Sequence, residues 1–345
     1  MASFEVFDGN LPTSDDEMSR QPPTPRPYAE RMFRALLPDD AVAVHRLIRS
    51  CELHDRSPIV TPLEEVTQMF GEPYFEPGRD GWLLEAAGEI IASGRIFHTP
   101  SNARQERAFL LGDVHPDHRG RGLGRQLIDL QIQRASALLR SADHDLPCFI
   151  RAQTYDWRED TRRLYLAAGM EPVRYHDELI RPLDRLPDRP APGGFTVLPW
   201  HDDHVEPARL VVNEAFADHW GSTPKTREAW ASMLDEYGMR LDQSYVAVDP
   251  DGAVVGATLN FHVPEDEDVT GRRDGWIGML GVVRPWRCRG VASALIVESL
   301  LAFASAGFTH ACLGVDSENP TGAYSLYQKH GFERMHRAVT YQLAL

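Results

Sequence analysis

Lysine is almost absent from this 345-residue chain: of its 36 basic residues only Lys225 and Lys329 are lysines. That bias reads as composition, not function. Cysteine is also scarce. Cys51, Cys148, Cys288 and Cys312 stand far apart with no Cys-x-x-Cys pair. This excludes a disulfide scaffold and a thiolate zinc site, and predicts free thiols in a reducing compartment. No apolar run approaches the ~18 residues that a bilayer span requires. No basic-then-apolar signal segment opens the chain, so a cytoplasmic protein without a membrane partner is expected. Positive charge is in deficit, with a formal net charge of −15. Nucleic-acid binding needs a basic face, so a nucleic-acid partner is not expected; a cationic amine would suit. There is no His-x-x-x-His or His-Glu-x-x-His pair, hence no expected metal. No Gly-x-Ser-x-Gly points to a hydrolase. Neither Gly-x-Gly-x-x-Gly nor Gly-Lys-Ser/Thr occurs, which sets aside dinucleotide and Walker folds.

Two related stretches are present instead. Residues 276–304 run from an apolar strand ending at Val282 and Val283, through a basic turn, into an apolar helix. The turn reads Arg287-x-x-Gly290-x-Ala292. Residues 109–139 repeat this with Arg119-x-x-Gly122-x-Gly124. Val114, Arg119, Gly122 and Gly124 match Val282, Arg287, Gly290 and Ala292 at a constant offset of 168. A strand, a small-residue turn and a helix N-terminus make an anion site, because free N–H groups and the helix dipole face outward there.

The rest of the chain follows this duplication. Residues 1–27 are polar and proline-rich, and are expected to be a disordered lead. The first copy covers 28–183, a linker rich in proline and glycine covers 184–194, and the second copy covers 195–345. Each copy reads as strand, two helices, hairpin, central strand, turn, helix, strand, short helix and final strand. The expected fold class is α/β with a mixed (α+β) sheet and helices on both faces, built as two tandem domains. Residues 264–274 are expected to be an acidic loop.

At these turns the chain resembles the GCN5-related N-acetyltransferases, whose Arg/Gln-x-x-Gly-x-Gly/Ala signature cradles the pyrophosphate of acetyl-CoA. The tandem layout, and the segment running from Asn213 to His219, resemble the mycothiol synthases. The resemblance implies an acetyl-CoA-dependent N-acetyltransferase that moves an acetyl group directly to a primary amine of a small molecule, with the second domain catalytic. The chain would be a monomer or homodimer. A non-catalytic acyl-CoA sensor on the same fold is the alternative.

It also implies the site. The backbone of Arg287, Cys288, Arg289, Gly290, Val291 and Ala292 would hold one pyrophosphate, with side-chain charge from Arg287 and Arg289. Arg119, Gly120, Arg121, Gly122, Leu123 and Gly124, following Val114, would hold another. An amide between Leu280 and Val282 would meet the acetyl carbonyl. Tyr327, in Leu-Tyr-x-x-x-Gly-Phe, would protonate the departing sulfur, and Asn319 would bond the pantetheine arm. Tyr165 holds the equivalent place in the first copy. The family's Glu near the start of the central strand has no match: Trp276 and Ala108 stand there, preceded by Asp274 and Glu106. Glu214 is the leading candidate base, beside Asp218, His219, Asp316 and Glu318.

Overall fold

The computed structural model describes residues 33–345 apart from 101–103, 142–144, 191–192, 218 and 319–321. The expected lead and Asn319 and Asp218 therefore lie outside the described residues.

In the first half, β1 (Arg34–Ala35), α1 (Ala41–Asp55), α2 (Leu63–Gln68) and α3 (Pro77–Asp80) precede the hairpin β2 (Gly81–Ala86) and β3 (Glu89–His98). Then follow β4 (Glu106–Val114), α4 (Leu123–Arg140), β5 (Cys148–Tyr155), α5 (Glu159–Ala167) and β6 (Glu171–Pro182). The second half repeats the order. It has β7 (Thr196–Pro199), α6 (Val205–Ala215), α7 (Arg227–Leu234), β8 (Tyr245–Val248), β9 (Val254–Phe261) and α8 (Asp266–Thr270). It closes with β10 (Asp274–Val282), α9 (Val291–Ser305), β11 (His310–Asp316), α10 (Ala323–Lys329) and β12 (Glu333–Ala344).

Local chemistry accounts for these elements. Ala41, Val44, Leu47 and Cys51 are the buried residues of α1, spaced three and four apart as one helix face requires. The β2–β3 hairpin turns on Ala87 and Gly88, both at positive φ (53° and 83°), as the tight turn matching strand twist demands. Between β8 and β9, the Asp249 carboxylate accepts the N–H groups of Asp251 and Ala253. The stretch expected to be an acidic loop contains α8. Asp266, Glu267 and Asp268 fill its first turn, where carboxylates oppose the helix dipole, and Gly271 ends it at φ 65°.

Among the described residues, twelve strands form one continuous sheet in the order β1-β2-β3-β4-β5-β12-β6-β11-β10-β9-β8-β7. Each half therefore surrenders its last strand. β6 lies between β12 and β11, and β12 lies between β5 and β6. Arg337 on β12 closes the exchange with a paired contact of 2.6 and 2.9 Å to the buried Asp177 of β6.

Two places in the sheet come apart. β4 and β5 run parallel and pair only from Glu106↔Cys148 to Phe109↔Arg151. β10 and β11 do so only from Asp274↔His310 to Ile277↔Leu313. Beyond those rungs the strands diverge, and a register shift between Ile277 and Met279 marks the fork on β10. On one face, α4 covers an apolar core that includes Ala108, Leu110, Ile150 and Ala152. α9 does the same over Ile277, Leu313 and Val315.

Candidate functional site

The two turns share one backbone. Gly122 and Gly290 cap α4 and α9 at φ 83° and 86°, with no side chain capping either helix. Gly120 takes φ 70°, and Cys288, its counterpart, takes 59° despite its side chain. A Cβ at Gly120, Gly122 or Gly290 would meet nothing within 4 Å. Each helix thus presents uncapped N–H groups beneath open space, which fits a pyrophosphate. The side chains of Leu123 and Val291 are buried, so only their amides can serve an anion.

The signature arginines are bonded within the protein. Arg287 Nε and Nη2 donate to the carbonyls of Val282 and Ala215 at 3.1 and 3.0 Å. Arg119 donates to the Val114 carbonyl at 2.9 Å and grips both oxygens of Asp55. Each lashes its central strand to the helix packed on it, so the expected side-chain charge from Arg287 is directed inward. The Arg289 guanidinium lies 4.9 Å from the centre of the Trp286 ring.

Between β4, the turn and α5 lies a cavity of about 290 Å³, walled by Leu110 to Val114, Gly122, Gly124, Leu164 and Tyr165 among others. The Tyr165 hydroxyl lies 3.5 Å from the Gln153 carbonyl, and burial raises its pKa. Asp113, also on this wall, is pushed up to about 6 by burial and by the charge of Glu52. In the second half, Tyr327 is 9 % exposed in the apolar cluster with Phe332. Burial pushes its phenol to about 12. Leu280 and Val282 lie on the β10 segment beyond its pairing with β11.

The candidate bases sort differently. Glu214 is exposed on α6. Asp316 and Glu318 are both held by Arg174, at 2.9 and 2.6 Å. The His219 ring nitrogen Nδ1 lies 3.2 Å from the Trp220 carbonyl, and burial lowers its pKa. The carboxylates that open the central strands are committed as well, Glu106 to His98 and Asp274 to Arg272.

Another carboxylate, not among these candidates, borders the second fork. Glu178, on the exchanged strand β6, pairs in register with Gly314, the first β11 residue past the fork. Gly314 is exposed, and a Cβ there would meet nothing within 4 Å. Glu178 Oε1 accepts a 2.9 Å bond from the Tyr155 hydroxyl, while Oε2 is buried without a partner among the described residues. Burial raises the Glu178 pKa. Sequence reasoning missed it because a strand from the first half carries it into the second fork.

Comparison with known proteins follows the same division. Residues 77–169 match the family described as acetyltransferase (GNAT) domain, and residues 208–332 the acetyltransferase (GNAT) family. A mycothiol acetyltransferase of Salinispora tropica is 30% identical over 234 residues, covering 67% of this chain and 71% of that one. The crystal structure of a GCN5-related N-acetyltransferase from Sphaerobacter thermophilus superposes with a TM-score of 0.70 at 30% identity, over 91% of this chain and 95% of that one. A tandem GNAT protein from the clavulanic acid biosynthesis pathway gives 0.63 at 21% identity, over 91% and 98%.

Proposed function

Because the chain belongs to the GCN5-related N-acetyltransferase (GNAT) family and transfers acetyl groups from acetyl-CoA to an amine, we propose that transfer takes place at the second fork, with Glu178 as base. The observation that carries this is the unpartnered Oε2 of Glu178 beside the open space over Gly314. A buried carboxylate with a raised pKa is a better proton acceptor than a free one, and amine attack needs a deprotonated nitrogen.

In the proposed reaction the pyrophosphate rests on the amides of Gly290 to Ala292, and the thioester lies in the fork. The amine nitrogen forms the new C–N bond and gives its proton to Glu178. The edge of Gly278–Val282 that faces away from β9 offers backbone N–H groups to the developing oxyanion. As the C–S bond breaks, Tyr327 protonates the sulfur; a phenol near 12 keeps its proton at neutral pH. The first turn, of the same backbone, holds a second acetyl-CoA. The acceptor is a small molecule with a primary amine, and the relatives' name makes a mycothiol-type amine the first to try.

The test is thiol release from acetyl-CoA with a panel of amines, wild type against Glu178→Gln. The proposal requires a turnover loss of about 100-fold in the variant, with acetyl-CoA affinity unchanged. Equal turnover would remove Glu178 from the mechanism.

A further inference from the structure

On the sheet face opposite α4, Arg107, Arg151 and Lys225 converge, and neither arginine has an ion-pair partner among the described residues. Arg151 is only 2 % exposed and occupies the last paired rung of β4 and β5, opposite Phe109. Its Nε and Nη2 donate to the amide oxygens of Gln342 and Gln105, at 2.8 and 3.1 Å, and both acceptors are neutral. Its guanidinium lies 4.0 Å from the ring centre of Trp220, on the loop between α6 and α7. Gly221, next in that loop, sits at φ 70°, and a Cβ there would collide with Arg151 Nη1. Two residues before Phe109 on the same face, Arg107 has its Nη1 buried with no acceptor among the described residues. Lys225 closes the loop. Its N–H donates to Asn213 Oδ1 at 2.8 Å, and its carbonyl accepts from Arg209 and Asn213. Asn213 begins the segment singled out in the sequence, and this pinning is its structural role.

Burial lowers the pKa of all three, with Arg107 acting on the other two. The neighbouring carboxylates are Glu106, bound to His98, and Glu236, which faces Lys225. A desolvated cation without a counter-charge is costly, so such a cluster stores affinity for an anion. The cofactor's phosphates are not that anion: their turn follows Val114, five residues and about 17 Å further along β4.

We infer that this cluster is a binding site for a small molecule bearing an oxyanion, carboxylate or phosphate, held by Arg107, Arg151 and Lys225 at the mouth of the first fork. The inference goes beyond the transfer reading and rests on it only for what the ligand would meet in the fork.

The test is calorimetric titration of the full chain, with CoA saturating, using three acetylated amines. N-acetylglycine carries a carboxylate, N-acetylethanolamine phosphate a phosphate, and N-acetylglycinamide neither. At least one anionic probe should bind ten-fold or more tightly than the neutral amide, and which one does names the oxyanion. Arg107→Met should remove that preference while leaving the ligand-free melting temperature unchanged or higher, since its Nη1 has no partner to lose. Arg151→Met should also remove it; if that variant does not fold, Arg107→Met decides. Equal binding of the neutral amide, or an unaltered preference in Arg107→Met, overturns the inference. Anion binding lost in Arg107→Met, with no acetyl transfer to any amine, would leave this site standing and sink the transfer reading alone.

Discussion

Tyr155 on β5 reaches over β12 to donate a 2.9 Å hydrogen bond to Glu178 on β6. The Tyr155 phenol is itself pushed up by burial and the Glu178 charge, so it stays a donor across the working pH range. Its bond favours the carboxylate and holds the Glu178 pKa below the level that burial alone would set. Tyr155→Phe should therefore raise that pKa. The acid limb of kcat against pH should move to higher pH in Tyr155→Phe and vanish in Glu178→Gln.

The proton donor is tested separately. Tyr327 lies in an apolar cluster with Phe332, so Tyr327→Phe should leave the melting temperature nearly unchanged. Turnover should fall about 10- to 100-fold, read as kcat with acetyl-CoA saturating.

Calorimetry counts the cofactor sites. Gly122 and Gly290 lie at positive φ beneath open space, where a carboxylate would oppose a pyrophosphate. Two acetyl-CoA sites are expected in the wild type, one lost in Gly122→Glu and the other in Gly290→Glu.

Arg287 is bonded to the carbonyls of Val282 and Ala215. Arg287→Gln should cost about 1–3 kcal/mol of stability, measured by urea unfolding. The slope of acetyl-CoA affinity against salt concentration should stay as in the wild type, because the guanidinium is bonded to backbone carbonyls.

Asp266 predicts a pH dependence of the fold. It accepts the Val60 N–H at 2.6 Å, yet burial holds its pKa at about 7. The folded chain thus binds this proton more tightly than the unfolded chain, whose carboxyl titrates near ~4. The stability it contributes is fully present below ~4, is lost as pH rises to about 7, and is flat above. Asp266→Asn should melt higher than the wild type at pH 8, with the gap closing toward pH 5.

The turns could be read from the sequence because they demand particular residues. Only a residue that tolerates positive φ fits the place of Gly122 or Gly290, and each is followed by an apolar helix. The strand exchange could not. The segments 171–182 and 333–344 both read as ordinary final strands, and the choice of neighbour is made by packing between residues far apart in sequence. Glu178 is hidden for the same reason. On its own strand it alternates like any solvent-facing carboxylate, and only the pairing with β11 brings it to Gly314. The cationic cluster likewise needs three separate stretches to meet.

The exchange also sets a timetable for the nascent chain. Phe149 pairs with Ala344, so β5 waits 195 residues for its neighbour. At the ~5–20 residues per second of synthesis, that is roughly 10–40 s. Throughout it, the first half carries an open edge next to its own fork, the kind of surface that invites pairing with the wrong chain. The clefts of the first half take their final form only when the last strand arrives.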